Sequence, residues 1–275
     1  MATLYVVGTP IGNLEDITMR ALRTLREVSL IAAEDTRKAR ILLQHYGITT
    51  PLTSYFEGNE RSKITVILDA LHNGDVALIS EAGMPGISDP GYPLIVAAIE
   101  QDVPVCVIPG PSAHTTALVA SGLPSDKFMF IGFLPRKRSE RNAVLQTFSR
   151  LTTTLLFYEA PHRLKDTLVD MHHILGNRAF VMCRELTKRY EEIWRGDIEG
   201  AIAFLQDHTP RGEFTLVVAG AEASSDVWDL QDVMQALKEE MGQGLTRSQA
   251  ARKVAQHSGW SRRDVYALNT QDPVS

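Results

Sequence analysis

The 275-residue sequence predicts an α/β protein: two α/β domains followed by a small helical tail. Three observations carry this reading. Short apolar runs alternate with longer segments of helical periodicity, the alternation restarts near Ser125, and the texture changes after Ala221. The expected domains are therefore 1–112, 113–222 and a tail over 223–275.

In the first domain Leu4–Val7, Ser29–Ala32, Val76–Ser80 and Val105–Ile108 read as short buried strands closed by Gly, Pro or acidic residues. Between them Ile17–Glu27, Thr36–Tyr46, Arg61–His72 and Tyr92–Gln101 carry helical spacing. Leu22, Leu25 and Val28, for example, fall three apart on one face. This alternation implies a mostly parallel sheet covered by helices, with ligand loops at the carboxyl ends of its strands. Ser112–Gly122 is rich in small and apolar residues and predicts a bridging helix. In the second domain Phe128–Gly132, Thr154–Tyr158, Phe180–Arg184 and Thr215–Ala219 predict strands. Glu140–Arg150, Arg163–Leu175 and Ile198–Gln206 predict the helices between them. Beyond a polar linker at Ala223–Asp229, three helices are expected at Asp229–Met241, Arg247–Ser258 and Arg262–Leu268.

Composition narrows the function classes. A hydrophobic share of 44% with 22% charged residues is that of a globular protein and excludes disordered and fibrous chains. No apolar run approaches the ~18 residues of a membrane span. The start, MATLYVVGTPIGN, lacks the basic flank and apolar core of a signal peptide. Cys106 and Cys183 make no metal or redox spacing, and His172 and His173 are adjacent on a predicted helix, so they do not share a face. The expectation is a cytoplasmic protein with reduced thiols, no metal and no membrane partner. A net charge of −5 argues against a uniformly basic surface.

The loops after the strands are less ordinary than the strands. Gly8-Thr9-Pro10-Ile11-Gly12-Asn13-Leu14 precedes a helix expected near Asp16, so its glycines can bring backbone N–H groups close to an anionic ligand. A tight turn with Asp16 as helix cap explains the same residues. Neither a P-loop nor a complete GxGxxG is present. Ser80–Gly91 packs three glycines and two prolines with two carboxylates, and Pro109-Gly110-Pro111-Ser112-Ala113 opens the bridging helix. Three such loops on one sheet edge suggest a shared pocket for a small polar molecule. Ala33-Glu34-Asp35-Thr36-Arg37, Phe157-Tyr158-Glu159-Ala160-Pro161-His162-Arg163, Arg184-Glu185-Leu186-Thr187-Lys188 and Gly212-Glu213-Phe214 also lie at strand ends. Helix capping and surface ion pairs would account for any one of them, but not for their repeated placement.

Taken in order, GTPIGNL, AEDTR, SEAGMPGISDPG, PGPSA, GFLP, FYEAPHR and RELTK resemble the bacterial ribosomal RNA small-subunit methyltransferase I family. The resemblance covers nearly the whole chain. It implies the tetrapyrrole methylase fold of class III methyltransferases, S-adenosyl-L-methionine as donor and a homodimer. The implied activity is 2′-O-methylation of a cytidine in the decoding region of 16S rRNA, with the small ribosomal subunit as partner. It places Pro10, Met84, Ile87, Ser112, Ala113, Phe157, Glu213 and Phe214 against the donor. Met84 departs from the pattern, which has Thr there, or Asp in more distant relatives. If a side-chain hydroxyl contacts the donor at that point in the family, only a backbone contact can survive in this chain.

Methyl transfer from a sulfonium is an in-line displacement governed by positioning, and a ribose hydroxyl gains from a base or a nearby cation. Among Glu34, Asp35, Glu159, Arg184, Glu185 and Lys188, the expectation is Asp35 as base or acceptor orienter and Lys188 as electrostatic stabiliser. RNA is expected on two basic clusters: Arg136, Lys137 and Arg138 after GFLP, and Arg252, Arg262 and Arg263 in the tail. A solvated basic face is the plain alternative for each. Two rival functions follow. One is methylation of a tetrapyrrole or other small molecule on the same fold. The other is a ligand-sensing regulator whose tail is a helix-turn-helix.

Overall fold

The computed structural model describes residues 2–222 and 228–268. The chain divides into two compact units, Met1–Gly220 and Ala221–Ser275.

The first unit contains two five-stranded sheets. In the first, β1 (Leu4–Val7), β2 (Leu30–Ala33), β3 (Leu52–Ser54), β4 (Val76–Ile79) and β5 (Val105–Ile108) are all parallel, in the order β3-β2-β4-β1-β5. Their continuous apolar composition follows from burial on both faces, and all four residues of β4 are buried. Helices α1 (Met19–Glu27) and α2 (Thr36–His45) cover one face, packing Leu25, Leu42 and Leu43 on Val7, Ile31 and Ile79. Helices α3 (Glu60–Leu71) and α4 (Tyr92–Glu100) cover the other, packing Ile67, Leu68 and Leu94 on Leu4, Ala32 and Leu78. Because β4, β1 and β5 are neighbours, the three Gly/Pro loops leave the sheet side by side. The helix start expected at Asp16 is corrected: Leu14–Asp16 is a single 3-10 turn capped by Asn13, and Thr18 caps α1 by accepting from the Ala21 N–H.

Helix α5 (Ala113–Ser121) starts directly after the β5 loop, so the boundary expected at 112/113 falls between a strand of the first sheet and this helix. The second sheet, β6 (Phe128–Phe133), β7 (Thr154–Glu159), β8 (Ala179–Arg184), β9 (Glu192–Asp197) and β10 (Phe214–Val218), runs β6-β7-β10-β8-β9. Only β6 and β7 are parallel, so it is not a repeat of the first. The sequence reading missed β3, which is three residues long, and β9, whose Glu192-Ile193-Trp194-Arg195-Gly196-Asp197 is too polar to read as buried. Residues alternate across this sheet with period two. Leu155, Phe157, Phe180, Met182, Leu216 and Val218 face α6 (Arg138–Phe148), α7 (Leu164–Leu175) and α8 (Ile198–Asp207). Leu156, Val181, Cys183 and Val217 face Ile11 of the first loop and Ala117 and Leu118 of α5.

The second unit holds α9 (Leu230–Gly242), α10 (Arg247–Ser258) and α11 (Arg262–Ala267) around Val233, Leu237, Ala250, Ala251, Val254 and Val265. Gly259, left-handed at φ 71°, ends α10 and leads into the short turn before α11. Five residues of the expected polar linker, 223–227, lie outside the described residues. No helix among the described residues is long and apolar enough to cross a membrane.

Candidate active site

The three loops are sewn to one another by backbone hydrogen bonds. Thr9 and Gly83 pair in both directions, at 2.9 and 3.1 Å, which ties the β1 loop to the β4 loop. The Gly8 N–H donates to the Ile108 carbonyl at 3.0 Å, which ties it to the β5 loop. Gly8 and Gly110 touch: a Cβ on Gly110 would lie 2.9 Å from the Gly8 backbone. These glycines therefore allow loop-to-loop contact, a role that their sequence positions did not separate from ligand approach.

Between these loops and the ends of β7, β8 and β10 lies a cavity of about 310 Å³, within the range of small-ligand sites. Ile11, Met84, Ile87, Phe133 and Leu186 supply apolar wall, and Gly83, Ser112, Ala113 and Ala160 supply small residues. Four carboxylates line it: Glu81, Asp89, Glu159 and Glu213. Glu81 is paired with Lys38. Glu159 is buried, accepts from the Thr167 hydroxyl at 2.6 Å and the Ala160 N–H at 2.8 Å, and has Arg163 at 3.5 Å. Lys188 donates to Glu213 and Glu185, each at 2.9 Å. Partial burial works against the charge of Lys188, but these two hydrogen bonds outweigh it and raise its pKa. Burial pushes the Asp89 carboxyl up to about 7, helped by Glu34, while the Ser80 hydroxyl works in the opposite direction.

A polar wall faces these acids. His114 stacks on Phe130 with ring centroids 4.3 Å apart, and its Nδ1 lies 3.0 Å from Ser112 Oγ and 3.3 Å from the Tyr158 hydroxyl. Burial lowers the His114 pKa and pushes Tyr158 up to about 12 and Cys183 up to about 11. The ring, the phenol and the thiol are therefore neutral near pH 7.

Of the expected donor contacts, Met84, Ile87, Ser112, Ala113, Glu213 and Phe214 line this cavity. Pro10 and Phe157 do not. Phe157 is fully buried on the opposite face of the second sheet, because its neighbour Tyr158 takes the cavity side. Asp35 and Lys188 also lie outside the lining. Asp35 caps α2, accepting from the Arg37 N–H at 2.8 Å and from its guanidinium at 2.8 and 3.2 Å. The Arg37 side-chain contact holds the Asp35 carboxyl down at about 2. Asparagine caps as well as aspartate, so Asp35→Asn is expected to keep thermal stability and turnover close to wild type. Loss of turnover at unchanged stability would put the Asp35 charge back into the reaction. His114 and Tyr158 were missed among the lining residues, and Asp89 was read only as one of the two carboxylates of the Ser80–Gly91 loop. Tyr158 lies one position beyond Phe157 on β7, so strand alternation was the available signal for it, whereas His114 lies in the first turn of α5, where period two gives none.

The basic residues after GFLP gather around a second cavity. Arg136, Arg138, Arg141, His162 and Arg163 line about 530 Å³ together with Asp166 and the buried Asp170. Arg252, Arg262 and Arg263 are exposed on α10 and α11, with Arg262 donating to Ser248 Oγ at 2.9 Å.

The model of the Tetrapyrrole (Corrin/Porphyrin) Methylases family matches residues 3–202. A protein of Halalkalibacterium halodurans named ribosomal RNA small subunit methyltransferase I is 48% identical over 98% of this chain and 95% of its own length. The chain belongs to that methyltransferase family. A Synechocystis relative of the same name is 46% identical over 98% of both chains. One from Thermotoga maritima is 47% identical, with its full length matched by 81% of this chain. Solved structures share the fold. Diphthine synthase aligns with a TM-score of 0.64 at 14% identity, covering 80% of this chain and 90% of that one. A uroporphyrin III C-methyltransferase from Thermus thermophilus gives 0.58 at 18%, covering 78% and 97%. Both α/β sheets and the methylase fold expected from the motifs are thereby shown, and the chain is a methyltransferase.

Proposed function

We propose that this enzyme transfers a methyl group from S-adenosylmethionine to the 2′ hydroxyl of a cytidine in the decoding region of 16S rRNA, as a cytoplasmic homodimer acting on the small ribosomal subunit. The observation that carries the rRNA reading is the near-full-length identity to relatives named ribosomal RNA small subunit methyltransferase I. The cavity fits the donor's chemistry. Acidic side chains favour its sulfonium and ammonium charges, apolar wall suits its adenine ring and methylene groups, and small residues leave room for backbone contact. When bound, the donor supplies a methyl carbon on a positively charged sulfur. Met84, Ile87, Ser112, Ala113, Glu213 and Phe214 would hold it there.

The residues outside the lining support those inside it. Lys188 neutralises Glu213 and Glu185 and fixes the β8 and β10 ends to one another. Asp35 holds the start of α2 beside Glu34, whose carboxylate accepts the Glu81 N–H at 3.1 Å. Arg136, Lys137 and Arg138, with Arg252, Arg262 and Arg263 of the tail, would hold RNA phosphates. The deciding experiment is transfer of labelled methyl groups to small subunits lacking the modification, followed by mapping of the labelled nucleotide. Label on a cytidine ribose is the expected result. Label on a base atom, or none on RNA, overturns the reading.

A further inference from the structure

Three of the four cavity carboxylates face a cation: Glu81 meets Lys38, Glu159 meets Arg163 and Glu213 meets Lys188. Asp89 does not. Among the described residues no lysine, arginine or histidine nitrogen lies within 4.0 Å of its carboxylate. The groups that bear on it are the carboxylates of Glu34, Glu81 and Glu213, the Ser80 hydroxyl, and the Tyr158 phenol.

The backbone around Asp89 is built with effort. Ser88 is held in the left-handed region at φ 61°, where a residue with a side chain rarely rests. Its hydroxyl lies where a Cβ on Gly132 would stand 2.9 Å away. Gly132, itself at φ 77°, sits at the register shift where β6 bulges against β7. A strained residue of the first sheet's loop thus interlocks with a bulge of the second sheet directly beside Asp89. Across the same cavity, Tyr158 and His114 are hydrogen-bonded together, and His114 is already engaged by Ser112 and stacked on Phe130.

We propose that Asp89 is the general base, its carboxylate taking the proton of the acceptor hydroxyl, with His114 and Tyr158 as positioning residues on the facing wall. This rests on the ribose 2′ hydroxyl being the acceptor. As the proton passes to Asp89, the freed oxygen pair forms the new C–O bond to the methyl carbon. The C–S bond breaks with its pair on sulfur, leaving a neutral thioether, and Asp89 then returns its proton to water. A base that titrates near the working pH is well matched to this transfer.

Asp89→Asn tests the assignment through three readouts. The single-turnover rate on unmodified small subunits is expected to fall about 100-fold or more, the scale of a lost general base. Donor affinity measured by calorimetry is expected to fall far less than the rate, because Glu81, Glu159 and Glu213 keep their negative charge in the cavity. In wild type, carbon-13 titration of the aspartate carboxyls is expected to show one group near 7, absent from the variant. The folded state holds that proton between the ordinary carboxylate pKa and about 7, so wild-type stability falls as pH rises through that window. The variant lacks this loss and should melt higher above about pH 8, with no such gain below about pH 4. A rate close to wild type, donor affinity lost in step with the rate, or no aspartate titrating above its ordinary range would each overturn the role of Asp89. Wild-type enzyme labelling a base atom instead overturns the acceptor reading, and the step falls with it, while an aspartate still titrating near 7 would separate that outcome from an error about Asp89 itself.

Discussion

Asp170→Ala is expected to destabilise the first unit by about 3–5 kcal/mol, the cost of stranding a buried charge. The Asp170 side chain is 2% exposed and that of Arg141 6% exposed. Arg141 donates to one Asp170 oxygen from Nε at 2.8 Å and from Nη2 at 2.5 Å, and Arg138 reaches the other at 2.9 Å. Removing the carboxylate leaves the buried Arg141 guanidinium without its counter-charge between α6 and α7. Domains are commonly stable by only about 5–15 kcal/mol, so this single change consumes a large share. At roughly 2–4 °C per kcal/mol for a unit of this size, melting should drop by about 10 °C. Replacing both partners with apolar residues of similar volume should recover most of the loss, because an ion pair and a well-packed apolar pair are often close in energy. A urea-unfolding double-mutant cycle checks this. An Asp170→Ala protein within about 1 kcal/mol of wild type would show that the pair is not what holds these helices.

That pair also marks where sequence reading stops. Asp170 sits in an amphipathic helical pattern where a carboxylate reads as a solvated face, and Arg141 as one charge in a basic run. Only the packing of α6 on α7 shows that both are interior. The strands that patterning found are those with strong apolar runs, such as Leu4–Val7 and Val105–Ile108, whose bounds it matched. It missed β9 because an edge strand facing solvent carries charges in place of an apolar run. The direction of strands was equally hidden. Helix–strand alternation suggested a mostly parallel first sheet and gave no direction for the second, where the β8–β9 hairpin and the return of β10 between β7 and β8 make pairing mainly antiparallel.

The site divides along the same line. Glycine and proline spacing located the three loops, since few other structures tolerate such residues at strand ends. Which side chain faces inward depends on register. Motif position singled out Phe157, but a one-residue step along β7 turns the side chain to the other face, and Tyr158 occupies the cavity. Charge neutralisation was invisible for a different reason. Glu81 and Lys38 are 43 residues apart and Glu213 and Lys188 25 apart, so no local window could tell that these acids are paired and Asp89 is not. A carboxylate's chemistry is set by its partners, and those are chosen by the fold.

Reversing Arg136 and Lys137 together to glutamate is expected to weaken binding to small subunits about 100-fold near 0.1 M salt and to flatten its salt dependence by about two units of slope, on the basis of about 0.9 unit per phosphate contact. Both residues are exposed, and Lys137 makes only a surface pair with Glu140 at 3.3 Å, so folding should be nearly unaffected. Arg138 and Arg141 are left in place because Asp170 anchors them, which keeps this test separate from the stability argument. The second cavity shares no lining residue with the first, so donor affinity should not change. The reversal should therefore raise KM for the subunit while leaving kcat at saturation near wild type. Unchanged affinity and slope would show that this basic face does not meet RNA. The same experiment explains how a chain of net charge −5 can hold a polyanion. Charge acts over about 10 Å at 0.1 M salt, so what matters is the local sum of Arg136, Lys137, Arg138, Arg141 and Arg163 against Glu140, Asp166 and Asp170. Affinity drawn from patches this small would favour a pre-shaped ribosomal surface over unstructured RNA, and a competition between assembled subunits and naked 16S rRNA should show the variant losing much of that preference.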